Sequence, residues 1–261
     1  MPEKLVWVGT SWKMNKTIDE ARAYVRTLLP HLPMPGVQAF VLPSHTSLAA
    51  VRDTLPADTP LLLGAQNAHW ADEGAGTGEV SMRMVKDAGA LLVEMGHSER
   101  RRDFGENDDT VGLKARAALD HGLIPLICIG EPAEVRTAQM QEEYVLDQLR
   151  EALRLLSPTE ARRVIVAYEP IWAIGTGGRP ATTEQIAPVM QAIAAALTEV
   201  SDGCARGTLL YGGGVAASNA AELLRTPNVD GLFVGRAAWT AQGLLELLRI
   251  GSAHAEASAA H

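Results

Sequence analysis

Short apolar runs recur along the chain, each bounded by Gly, Pro or polar residues: LVWVGT, VQAFVL, LLLGAQ, ALLVEM, LIPLICIG, RVIVAYE, TLLYGG and GLFVGR. Runs that are apolar at consecutive positions predict strands buried on both faces, as in a parallel sheet covered by helices. Amphipathic stretches lie between them and predict helices over Ile18 to Leu29, Thr110 to His121, Gln139 to Leu156 and Glu184 to Val200. Strand and helix therefore alternate, which implies an α/β fold, doubly wound or closed. Eight repeats favour closure into a single-domain (β/α)8 barrel over residues 1–250, a fold that commonly uses about 250 residues. The remaining segment 251–261, GSAHAEASAAH, is small and polar and predicts a frayed tail.

Composition narrows the classes. A hydrophobic fraction of 47% with 21% charged residues is that of a globular protein with a large core, which needs no disulfides. Cys128 and Cys204 fit no metal spacing and predict a reducing, cytoplasmic setting. The amino terminus lacks the apolar stretch of a signal peptide, and no run approaches a membrane span. A net charge of −8 without any Lys/Arg-rich block argues against nucleic acid and membrane partners, and an anionic substrate would need local positive charge. No G-x-G-x-x-G joins the first strand to its helix and no P-loop occurs, so neither NAD nor ATP is indicated and no cofactor is expected. Glu99, Glu131 and Glu169 fall on different loops and do not form a metal cluster.

Candidate chemistry gathers just after the strands, in SWK, QN, GHSERR, GEP, EPIWAIGTG, GGG and GRA, the edge that hosts barrel active sites. Lys13 reads as a solvated lysine, as a cation for an anionic substrate, or as a Schiff-base former if its pKa is depressed. His97 stands beside Ser98, which can cap a following helix, and Glu99; a helix amino terminus favours a neutral imidazole able to donate to a carbonyl. Glu169 precedes Pro170 and a mainly apolar segment closed by Gly175, Gly177 and Gly178, the pattern of a water-excluding lid with pivots at its ends. Gly212, Gly213 and Gly214, then Gly235 before Arg236, follow the last two strands, where barrels bind phosphate on backbone N–H groups.

Together, SWKMN at 11–15, GAQN at 64–67, GAGTGE at 74–79, GHSERR, CIGE, AYEPIWAIGTG, YGGGV and DGLFVGR resemble the triose-phosphate isomerase family over nearly the whole chain. The resemblance implies a TIM barrel and a cofactor-independent intramolecular oxidoreductase that isomerises a small phosphorylated sugar through an enediolate. The roles that follow are the family's, carried over to matching positions. Glu169 is the base, His97 a neutral electrophile, Lys13 a positive charge on the substrate, and Glu99 a support. Ile171, Trp172, Ala173, Ile174, Gly175, Thr176 and Gly177 form the lid. Gly175, Gly214, Gly235 and the backbone of Arg236 cradle the phosphate. A homodimer is also implied, with the loop around Thr77 reaching toward the partner's site.

Three positions depart from the family's usual pattern: Ser11 replaces Asn, Gly214 replaces Ser, and Arg236 replaces the second of two glycines. GTSWKMNKT, GAQNAHWAD and DGLFVGRAAW are similar to a branch of the family that isomerises erythrulose phosphate in erythritol breakdown. Ser11 is then expected to make space for an added hydroxymethyl group or to hydrogen-bond its hydroxyl, and Arg236 to reposition the phosphate. The glycolytic triose-phosphate isomerase, a Schiff-base aldolase using Lys13 and a non-catalytic sugar-phosphate-binding barrel are the rival readings.

Overall fold

Each expected apolar run forms one strand of the computed structural model, which describes residues 5–175 and 177–259; β1 runs one residue past its run, to Ser11. The strands are β1 (Val6–Ser11), β2 (Val37–Leu42), β3 (Leu62–Ala65), β4 (Leu92–Met95), β5 (Ile124–Ile129), β6 (Ile165–Tyr168), β7 (Thr208–Tyr211) and β8 (Gly231–Val234). They pair in sequence order, all parallel, and β8 returns to β1 to close the barrel.

Alternation along each strand sends side chains to two separate apolar layers. Phe40, Leu42, Leu92, Leu126, Cys128, Ile165, Ala167, Leu210 and Phe233 fill the interior. Val8, Val41, Val93, Ile127 and Val166 face the helices. Phe40 stacks on Phe233 with ring centroids 5.8 Å apart, and Gly9 makes this possible, because a Cβ there would lie 2.3 Å from the Phe40 ring.

The helices start where local caps allow. Thr17 and Glu20 form a capping box before Ile18–Leu28, and Asn107 accepts the Thr110 N–H, which starts Asp108–Asp120 two residues ahead of expectation. The helix expected from Gln139 begins instead at Gln141, because Gln139 is left-handed with φ 59°.

The expected frayed tail is overturned. A helix runs over Ala241–Ala259, with Gly251 and Ser252 buried, and Ser252 Oγ donates to the Pro35 carbonyl at 2.8 Å. The small residues are there for close approach: a Cβ on Gly251 would lie 3.1 Å from Val8, and one on Gly36 would lie 2.5 Å from Ala255. Among the described residues no helix is long and apolar enough to cross a membrane, and no group of three His, Cys, Asp or Glu side chains could hold a metal ion.

Candidate active site

The carboxyl ends of the strands carry the polar residues, and β1 supplies the first of them. Lys13 has φ 54°, a conformation that costs an L-residue about 1–2 kcal/mol. Gln66 holds it there, donating Nε2 to the Lys13 carbonyl at 3.0 Å and to the Leu42 carbonyl at 2.9 Å. The Lys13 ammonium in turn reaches Glu99 Oε1 at 2.7 Å. Burial alone would lower its pKa, but the Glu99 hydrogen bond and the charges of Glu169, Glu99 and Glu94 outweigh that and raise it. This keeps Lys13 a cation, the opposite of what a Schiff-base nucleophile needs. Glu99 shifts the other way: burial raises its pKa, yet Lys13 and His97 prevail and lower it.

His97, just past β4, occupies the N-cap of the helix Ser98–Phe104, one residue before the Ser98 expected there. Its ring does the capping, with Nδ1 accepting the Glu99 N–H at 3.1 Å. An accepting Nδ1 leaves the proton of a neutral imidazole on Nε2. That nitrogen lies 3.5 Å from Glu169 Oε2.

Glu169 follows β6, anchored by its own N–H to the Ile129 carbonyl at 2.8 Å. Gly212 makes room for it, since a Cβ there would lie 2.8 Å from Glu169 Cγ. The carboxylate is buried, and Oε2 has no hydrogen-bond partner among the described residues. An unengaged carboxylate oxygen beside an Nε2–H is suited to exchange a proton with a carbon acid while the imidazole polarises the adjoining oxygen.

The expected lid begins in a 3-10 turn, Ile171–Ala173. It is moored to Glu131, whose carboxylate accepts from Trp172 Nε1 at 2.8 Å and from the Tyr168 hydroxyl at 3.0 Å. The Glu131 carbonyl takes the Ile171 N–H at 3.0 Å. Sequence reasoning weighed Glu131 only as a metal ligand and missed this role, because its partners lie 37 and 41 positions away. Ile174 and Gly175 follow, with Gly175 at φ 80° and Gly177 at φ 90°, a backbone region that favours glycine. Thr176 lies outside the described residues.

A cavity of about 500 Å³ joins these groups. Ser11, Lys13, His97, Glu99 and Glu169 line it, with Ala173, Ile174 and Gly175 from the lid and Gly214, Gly235 and Arg236 from the last two loops. Gly214 has φ 61°, and a Cβ there would lie 2.9 Å from the Ala173 carbonyl, so a side chain at this position would press on the lid. Gly235 caps the short 3-10 turn Arg236–Ala238. The Arg236 side chain is exposed and makes no hydrogen bond or ion pair with another described residue. Ile171, Trp172 and Gly177 are outside the cavity wall, and Thr77 is in an exposed loop remote from it.

Ser11, the last residue of β1, is buried at the cavity floor, and its carbonyl accepts Trp239 Nε1 at 3.2 Å. Glu94 of β4 is buried inside the barrel, with the Cys128 thiol 3.9 Å from its Oε1. Glu94 was not legible as a site residue, since it is a single carboxyl inside an apolar strand run.

The triosephosphate isomerase family model matches residues 6–251. A protein of Mycolicibacterium smegmatis named L-erythrulose-1-phosphate isomerase is 50% identical over 97% of this chain and 96% of its own length. A protein of that name from Rhizobium rhizogenes is 47% identical over 93% of each chain. The crystal structure of triosephosphate isomerase from Bartonella henselae superposes with a TM-score of 0.84 at 34% identity, covering 94% of this chain and 98% of the other.

Proposed function

The chain belongs to the triosephosphate isomerase family, and from that premise we propose that it interconverts L-erythrulose 1-phosphate and D-erythrulose 4-phosphate through an enediolate. Glu169 removes the proton from C3 of L-erythrulose 1-phosphate, and the C2 carbonyl becomes part of an enediolate across C2 and C3. The C3 hydroxyl proton passes to the C2 oxygen by way of His97 Nε2, the same carboxyl returns the carbon-bound proton to C2, and the carbonyl is then at C3. His97 Nε2–H and the Lys13 ammonium stabilise the enediolate oxygens, each contribution of this kind being worth about 10²–10³ in rate. Glu99 holds Lys13 in place. Residues 171–177 close over the intermediate and exclude water, and the N–H groups around Gly175, Gly214, Gly235 and Arg236 bind the phosphate.

The tetrulose phosphates are the triose phosphates with one hydrogen of the far carbon replaced by hydroxymethyl, so the same chemistry needs only added room. The likeness to proteins named L-erythrulose-1-phosphate isomerase carries this choice over the triose phosphates. Ser11 at the floor supports it, being shorter than the family's usual Asn. The exposed Arg236 guanidinium is free to pair with the phosphate. The enzyme acts in the cytoplasm, where charged sugar phosphates are retained, as a homodimer.

Coupled assays on both substrate pairs test the reading. The expected result is a kcat/KM for the tetrulose phosphates at least about tenfold above that for the triose phosphates. A preference for dihydroxyacetone phosphate overturns it in favour of triose-phosphate isomerase.

A further inference from the structure

The turn after β8 ends on two successive carbonyls that residues from the start of the chain hold in place. Lys16 Nζ donates to the Trp239 carbonyl at 2.5 Å, and the Tyr24 hydroxyl donates to the Ala238 carbonyl at 2.6 Å. Trp239 completes the tie, since its indole Nε1 donates to the carbonyl of Ser11, the last residue of β1. The turn Arg236–Ala238 and its capping residue Trp239 are thereby fastened to β1, to the segment after it and to the helix Ile18–Leu28. Arg236, Ala237 and Trp239 line the cavity, whereas Lys16 and Tyr24 do not.

Lys16 is not an ordinary surface lysine. Its backbone is left-handed, with φ 78°, and such a conformation persists only where the surroundings over-determine it. Here they do. Besides meeting the Trp239 carbonyl, the ammonium lies 5.0 Å from the Tyr24 ring centroid and 5.3 Å from that of Trp12. The two rings meet edge to face at 4.8 Å, and both are buried, so Lys16 is received by packed core residues.

The turn has little to hold it otherwise. It is three residues long, with the Ala238 N–H bonded to the Gly235 carbonyl at 3.0 Å and the Trp239 N–H to the Arg236 carbonyl at 3.2 Å, and 3-10 geometry of this length holds itself weakly. A Cβ on Gly235 would meet nothing within 4 Å, so packing does not fix the start of the turn either. We propose that Lys16 is a positioning residue for the substrate's phosphate: by fastening the Trp239 carbonyl it fixes the turn Arg236–Ala238, which contributes to the phosphate cradle. This rests on the reading of that cradle given above, and it serves tetrulose and triose phosphates alike, because both carry the phosphate. A contact kept with the phosphate throughout the reaction acts on substrate and transition state together, so weakening it raises KM and leaves kcat nearly unchanged.

Steady-state kinetics with L-erythrulose 1-phosphate, and competition by inorganic phosphate, on the wild type, Lys16→Met, Lys16→Arg and Tyr24→Phe test this. Methionine keeps an unbranched apolar stem beside the rings and removes the donor. In Lys16→Met, KM and the inhibition constant of phosphate both rise about tenfold, with kcat within about threefold of wild type. Lys16→Arg keeps a cationic donor, and all three constants stay within about threefold of wild type. A lysine that only stabilised the fold would lower Tm and the amount of active enzyme without moving either KM or the phosphate constant. Should Lys16→Met fail to fold, Tyr24→Phe decides alone: it removes only the hydroxyl on the Ala238 carbonyl, and the phosphate constant rises about threefold. Where the wild type turns over only triose phosphates, the same constants measured on dihydroxyacetone phosphate decide. Unchanged constants in Lys16→Met, an arginine variant as weak as the methionine one, or an unchanged phosphate constant in a deciding Tyr24→Phe overturns the role of Lys16 and leaves the cradle standing. A wild type in which inorganic phosphate does not compete with substrate overturns the cradle and the role together.

Discussion

In the proposed reaction Glu169 carries the chemistry and Ser11 the choice of substrate. Glu169→Gln preserves shape and removes the base, so kcat should fall about 10³-fold, within the range for general acid–base catalysis, while calorimetry gives a Kd for inorganic phosphate within about threefold of wild type. A variant keeping more than about a tenth of the wild-type kcat would assign the proton transfer to another group. Ser11→Asn refills the cavity floor, and the ratio of kcat/KM values for tetrulose over triose phosphate should drop about tenfold; an unchanged or higher ratio removes the space argument. That Lys13, His97 and Glu169 share one cavity was legible because each closely follows an apolar run, the position that places a residue at the carboxyl edge of a barrel. Glu94 and Glu131 were not. The facing of Glu94 depends on strand parity, and the partners of Glu131 come from the next strand and the lid.

The loop that presents His97 is braced by a buried element rather than by its own sequence. Glu106 Oε1 accepts the Gly96 N–H, and Oε2 accepts from Arg100 Nε and Lys114 Nζ, both at 2.7 Å. Lys114 also reaches Asn67 Oδ1 at 2.8 Å, tying the helix Asp108–Asp120 to the loop after β3. Burial would raise the Glu106 pKa, but Lys114, Arg100 and the Gly96 N–H lower it overall. A carboxyl with a depressed folded pKa stabilises the protein fully above its unfolded value of 4.5, and that stability is lost as pH falls below this toward the folded value. Acid titration of Tm should therefore show a decline below the ordinary glutamate range that is smaller in Glu106→Gln. Lys114→Met leaves a buried carboxylate short of its cation and should cost about 3–5 kcal/mol, a Tm drop on the order of 10 °C by calorimetry. A Tm within about 2 °C of wild type would show the clasp to be dispensable. At this scale the strands and the longer helices were legible from apolar spacing. The helix past Gly251 was not, because Gly, Ala and Ser read alike whether a segment is loose or packed tightly on Pro35 and Gly36.

The whole barrel leaves some large apolar side chains uncovered. Met14 is 98% exposed next to Lys13, Phe104 is 70% exposed at the end of the His97 helix, and Met84 is 53% exposed after the loop that carries Thr77. These residues belong to segments following β1, β4 and β3, and large apolar side chains left this open are candidates for an interaction surface. Residues 71–79 are also all exposed and without a strand or helix, too polar and glycine-rich to serve a core of their own. A homodimer, as proposed above, would cover this loop and some of the exposed apolar side chains. Thr77→Arg places a long cation in that contact and should give a monomer by sedimentation, with kcat lowered about tenfold or more because Lys13 and His97 lose their cover. The fold of the single barrel does not depend on the loop, so its circular dichroism should be unchanged. A dimer with wild-type kcat would place Thr77 outside the interface. A monomer with wild-type kcat would mean that one barrel holds Lys13 at φ 54° by Gln66 and Glu99 alone.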